Sequence, residues 1–177
     1  KNNDKVGMIL FTGRVEKFIP PKKGRSHILR IIRELIEFRP EGRDTDIAGA
    51  LRYLNNVIKK RSISFLVSDL MASGYEDALK IANRRHDLVV LRTSDPREQE
   101  LPNVGLVRFE DPETCELRWV DTGSRSVRNS YRAAALKHKQ NTREILKRSG
   151  VDHVTISTNE GYVRPLMRLF KQREGAR

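Results

Sequence analysis

A chain of 177 residues with 35 Lys and Arg against 23 Asp and Glu carries a formal net charge of +12. Its 37% hydrophobic content, with 11 Gly and 7 Pro, is enough for a buried core and excludes a wholly disordered, collagen-like or low-complexity chain. The single cysteine, Cys115, excludes an internal disulfide framework and a multi-cysteine zinc site; it suits a reducing compartment, and the cytoplasm is the expected location.

The opening Lys1-Asn2-Asn3-Asp4 has neither an initiator Met nor a charged-then-apolar leader, and reads as the start of a piece of a longer protein. Lys5 to Phe11 is an apolar run of strand length, the pattern of a strand buried on both faces. After Thr12-Gly13-Arg14, the alternation Val15 to Ile19 predicts an edge strand closing a hairpin and stopping at Pro20-Pro21. Ile28, Leu29, Ile31, Ile32, Leu35 and Ile36 recur at helical spacing over Ser26 to Phe38, with Ser26 as N-cap. A second amphipathic helix follows Thr45 and Asp46 and ends at Lys59-Lys60-Arg61.

Ile63 to Ser68 is a β-rich run closed by Asp69, a helix is predicted over Tyr75 to Arg85, and Asp87 to Leu91 is another buried strand. Val104 to Phe109 and Glu116 to Val120 predict a hairpin turning at Asp111-Pro112-Glu113-Thr114. A long basic helix over Ser126 to Arg148, a strand over Val151 to Ser157 and a helix over Tyr162 to Gln172 complete the chain. Buried strands alternating with amphipathic helices imply crossover connections, so the expected class is α/β, doubly wound, with a mostly parallel sheet. No apolar run approaches the roughly 20 residues of a membrane helix, and no span is expected.

Phosphate-binding, zinc-protease and nucleophile-elbow spacings are absent, and His27, His86, His138 and His153 are scattered in sequence. Open α/β sheets bind ligands at the carboxyl ends of their strands, which directs attention to Asp69 and Asp95. Thr45 and Asp46 stand at a helix start expected at the same rim. Carboxylates and a hydroxyl from separate loops make an oxygen-only environment suited to a hard cation such as Mg²⁺. The same residues also fit plainer roles: Thr45 or Asp46 as an N-cap, Asp69 as a turn former.

Asp4 to Phe11, Phe18-Ile19-Pro20-Pro21-Lys22-Lys23-Gly24-Arg25, Thr45 to Leu51 and Phe65-Leu66-Val67-Ser68-Asp69 together resemble the bacterial domain of unknown function 58 family. The likeness continues through Asp95-Pro96-Arg97-Glu98, Leu101-Pro102 and Trp119-Val120-Asp121-Thr122. It implies a three-layer von Willebrand factor A-like (vWA) fold over 1–177, with an irregular or antiparallel insertion at about 94–125 and a basic helical part at 126–177. It also implies a metal-ion-dependent adhesion site for Mg²⁺ or Mn²⁺, in which Thr45 and Asp69 are metal ligands. The family's Asp-x-Ser-x-Ser loop, central strand and first helix would precede Lys5. Without them the strands at Val6 to Phe11 and Ile63 to Ser68 are expected to keep unpaired edges, and the two remaining oxygens to hold a cation weakly or not at all.

The implied role is non-enzymatic: binding a protein partner that offers an acidic residue, as an accessory of a MoxR-type AAA+ ATPase in protein maturation or complex assembly. Asp46, Asp95 and Arg97 are candidates for partner contacts or for supporting the ligands, the plain alternative for Arg97 being a pair with a neighbouring carboxylate. Arg128 to Arg177 carries 12 basic and 4 acidic residues. That surface also fits nucleic acid or an acidic membrane, but sparse aromatics and the absence of a nucleic-acid motif favour an acidic protein. A metal-dependent hydrolase using Asp69, Asp95 or Asp46 is a further alternative, without a His at the rim to serve as base.

Overall fold

The computed structural model describes residues 4–111 and 115–175, and the chain divides into two compact units, Lys1–Lys59 and Lys60–Arg177.

The first unit contains β1 (Val6–Phe11), β2 (Val15–Lys22), α1 (Arg25–Glu37) and α2 (Ile47–Val57). β1 and β2 form the expected antiparallel hairpin. β2 does not stop at Pro20; it runs through both prolines to Lys22. The prolines are tolerated because they fall at a register shift, between the pairs Met8↔Ile19 and Val6↔Lys22, where a missing N–H costs no ladder bond. Gly7 lies across from them, and a Cβ there would come within 2.8 Å of the Ile19 carbonyl oxygen. β1 is not buried on both faces as expected: Val6 and Gly7 are exposed and β2 is its only ladder partner among the described residues.

Ser26 is not the N-cap of α1. Gly24 takes that position at φ 106°, a backbone that favours glycine, and no side chain caps the helix. His27 anchors α1 to β1 through Nε2 and the Val6 carbonyl oxygen at 2.9 Å. The apolar stripe of α1 faces water instead of a core: Ile28, Leu29, Ile32, Leu35 and Ile36 are all exposed.

The second unit contains β3 (Ile63–Ser68), α3 (Glu76–Arg85), β4 (Asp87–Ser94), β5 (Leu106–Glu110), β6 (Leu117–Asp121), α4 (Arg125–Ser149), β7 (Asp152–Ser157) and α5 (Val163–Gly175). β3, β4 and β7 pair in parallel in that order. This is the mixed α/β arrangement the alternation predicts, although among the described residues the strands fall in three sheets and not in one. The hairpin of β5 and β6 forms as expected; Pro112, Glu113 and Thr114 of its turn lie outside the described residues.

β4 is buried on both sides, with Leu88, Val89 and Val90 at most 1% exposed. α5 lies on the side carrying Phe65, Asp87 and Asp152, because Phe170 meets Phe65 edge-on at 6.5 Å between ring centroids and Arg173 binds both aspartates. Right-handed crossovers put α3 and α4, which touch each other, on the opposite side. Unlike β4, β3 has one ladder partner among the described residues, and Ile63, Phe65 and Val67 on one of its faces are exposed. No helix among the described residues is long and apolar enough to cross a membrane.

Candidate functional site

Each of the three parallel strands is followed at once by an oxygen-bearing side chain: Asp69 after β3, Asp95 after β4 and Thr158 after β7. Parallel pairing sets these ends side by side, with Ser68 opposite Arg92 and Ser94 opposite Ser157. β4 and β7 therefore run two residues past β3, and Asp95 and Thr158 share a level two residues beyond that of Asp69.

At the upper level the groups are bonded to each other. The Thr158 hydroxyl donates to Asp95 Oδ2 at 2.7 Å, and the Arg97 N–H donates to Oδ1 at 2.8 Å. The Thr158 N–H donates to the Ser94 carbonyl oxygen at 3.0 Å, continuing the ladder. The Thr158 hydroxyl foremost, then the Arg97 N–H, hold the Asp95 carboxyl below the usual carboxylate range. A depressed folded-state value stabilises the protein above the unfolded value, and the benefit is lost as pH falls through the folded one. Thr158→Val is accordingly expected to move the Asp95 titration upward toward 3.8, read by carboxyl-carbon NMR; an unchanged titration would show that the hydroxyl does not hold it.

Asp69 sits in a tight turn. Its Oδ1 accepts from the Met71 N–H at 3.1 Å, and the Ser68 hydroxyl accepts from the Leu70 N–H at 3.1 Å. Leu70 between them has φ 62°, a left-handed backbone unusual for a branched side chain, and is wholly buried. Arg92, itself buried, donates from Nε to the Asp69 carbonyl oxygen at 3.4 Å. Asp69 is thus a turn former held from two sides, and its Oδ2 is the oxygen that these bonds leave over.

Arg97 projects from the short turn Pro96–Glu98, and its carbonyl oxygen accepts from the Tyr131 hydroxyl at 3.1 Å. Its side chain is exposed, and its charge acts on the neighbouring Asp95 carboxyl without an ion pair among the described residues. Asp46, in the first unit, is the N-cap of α2: Oδ1 accepts from the Gly49 N–H at 2.8 Å and Oδ2 lies 3.6 Å from Arg52. Thr45 is exposed beside it.

Sequence reasoning missed Glu16, whose carboxylate accepts from the Thr12 hydroxyl at 2.6 Å and from the Glu41 and Gly42 N–H groups, fixing the loop ahead of α2. Those bonds, the Thr12 hydroxyl first, lower its carboxyl below the usual range. It missed Thr158 as well, although its place directly after a predicted strand, like that of Asp69 and Asp95, was a readable signal.

Residues 1–141 match the family described as Protein of unknown function DUF58. The chain belongs to the DUF58 family. It is 22% identical over 173 residues to uncharacterized proteins of Mycobacterium bovis and Mycobacterium tuberculosis, covering 96% of this chain and 54% of each relative. The DUF58 chain thus spans about half the length of those relatives. The uncharacterized protein MAV169 of Mycobacterium avium is 25% identical over 158 residues, covering 88% of this chain and 93% of that one. The solved structure of an aerotolerance-related membrane protein from Bacteroides fragilis, mutated to serine at multiple positions, shares the fold. Its TM-score is 0.57 at 18% identity, over 97% of this chain and 81% of that one.

The residues of this DUF58 chain do not by themselves fit a hard divalent cation, which seeks six or more oxygens. Both Asp95 oxygens take donors, Asp69 keeps one oxygen free of these bonds, and no group of three or more His, Cys, Asp or Glu comes together among the described residues.

Proposed function

We propose that this DUF58 chain is a non-enzymatic, vWA-like protein-interaction module that works in the cytoplasm as an accessory of a MoxR-type AAA+ ATPase in protein maturation or complex assembly. The observation that carries this reading is the strand-end row of Asp69, Asp95 and Thr158, with exposed Arg97 beside it: a fixed, polar rim built by backbone register. Binding at the carboxyl ends of parallel strands is the general habit of such sheets. Asp69 Oδ2 and the Arg97 guanidinium are the groups of this rim offered to a partner. Mg²⁺ or Mn²⁺ at Asp69 belongs to this proposal only in a chain that brings further oxygens to the rim.

The test is binding of a purified MoxR-type ATPase, with and without Mg²⁺, to the wild-type chain and to Asp69→Ala and Arg97→Glu. The expected result is a loss of affinity of about tenfold or more in each variant, the scale of one charged interface contact, with far-ultraviolet circular dichroism unchanged. Undiminished binding by both folded variants would overturn the reading.

A further inference from the structure

α4 buries one side against the unit it belongs to and leaves another open. Thr142, Ile145, Leu146 and Ser149, at helical spacing, are buried. Beside that seam, within one sector of the helix, stand Arg125, Arg132, Leu136, Lys139, Arg143 and Lys147, all exposed. No acidic residue of α4 falls in the sector; Glu144, the helix's one carboxylate, lies on another side and pairs with Arg148 at 3.5 Å. Arg132 shares an exposed ion pair with Glu100. Arg125, Lys139, Arg143 and Lys147 enter none among the described residues. At 1.5 Å per residue the row is about 33 Å long, with its last three cations about 6 Å apart.

We infer that this face of α4 docks an acidic amphipathic helix of a protein partner, with carboxylates one turn apart on either side of an apolar residue that covers Leu136. The inference deepens the interaction-module reading and rests on it. Charge complementarity sets the sign of the partner, and Leu136, 54% exposed amid the cations, sets its kind. A phosphate backbone offers nothing to an apolar side chain at that place. The sector also lacks an aromatic ring on which a base could stack, since Tyr131 lies on the seam side and its hydroxyl is engaged by Arg97. A bilayer needs a broad apolar helix face, not one leucine in a row of cations.

The probes are two helical peptides of identical composition, one with its glutamates on a single face around one leucine and the other with them spread round the helix. Affinity for the whole chain is read by fluorescence anisotropy at about 0.15 M salt, where unspecific attraction is screened beyond about 8 Å. The one-faced peptide is expected to bind at least about tenfold tighter than the spread one, and Lys139→Glu/Arg143→Glu/Lys147→Glu to remove that advantage. Lys22→Glu/Lys23→Glu/Lys59→Glu, the same charge change in the first unit, is expected to keep it. Equal binding of the two peptides, equal loss in both triple variants, or tighter binding of an oligothymidylate or of phosphatidylserine vesicles through the same three residues would each overturn the inference. Asp69→Ala separates the two readings. If it abolishes ATPase binding while the α4 variant binds the ATPase normally, the α4 surface fails and the module reading stands. If the one-faced peptide binds through α4 but no variant alters ATPase binding, the reverse holds.

Discussion

Arg173→Met should lower the unfolding free energy by about 3 kcal/mol, the scale for removing one partner of a largely buried ion pair. Arg173 reaches from α5 across two strands: Nη2 lies 2.5 Å from both Asp87 oxygens, and Nη1 3.3 Å from Asp152 Oδ2. Its side chain is 17% exposed and that of Asp87 22%, so water screens the pair little. Methionine keeps most of the aliphatic stem and removes the charge, leaving two carboxylates of adjacent strands under α5 without this cation. Arg173→Lys keeps the charge but not the planar fork and should recover only part of the loss. Urea unfolding checks both variants, and added salt should change the wild-type value little. A loss below about 0.5 kcal/mol would place the pair among surface ion pairs and contradict the clamp.

The second large effect concerns Leu70. Leu70→Ala removes a wholly buried side chain and should cost about 3 kcal/mol. The backbone adds a sign that burial does not: at φ 62° any residue with a Cβ is strained, by about 1–2 kcal/mol relative to glycine. Leu70→Gly should therefore be no less stable than Leu70→Ala, although it is the smaller side chain and pays more entropy on ordering. A glycine variant clearly less stable than the alanine one, by thermal or urea unfolding, would mean that the left-handed turn holds no strain. Because the Leu70 and Met71 N–H groups bond the Ser68 and Asp69 side chains, both variants should also loosen Asp69, visible as a larger loss of partner affinity than of stability.

Most of the element order was legible because the residues that decide it act locally. Val, Ile and Leu runs mark β3, β4 and β7, and periodic apolar residues mark α1 and α2. Helix and strand ends were less legible. Ser26 carries the right side chain for an N-cap, but Gly24 supplies the backbone angle at which the chain leaves β2, and the angle decides. Pro20 and Pro21 read as a stop because the register shift that accommodates them depends on Gly7, thirteen residues earlier. At the candidate site, Asp69 and Asp95 were found from their place after predicted strands. Their bonding was not, because Thr158 lies 63 residues from Asp95 and meets it only through the order of the sheet.

The order β3-β4-β7 has a direction. As the chain leaves the ribosome, each new parallel strand joins on the side away from β3, so the growing end of this sheet and its oldest edge are never the same. Among the described residues β3 gains no second ladder partner from β4 or β7, and its Ile63, Phe65 and Val67 face meets later-made sequence at Phe65, where Phe170 of α5 packs edge-on. While β4 and β7 are being made, the edge of β3 that they leave open is a place where another unfinished chain can pair, and a longer wait there favours aggregation.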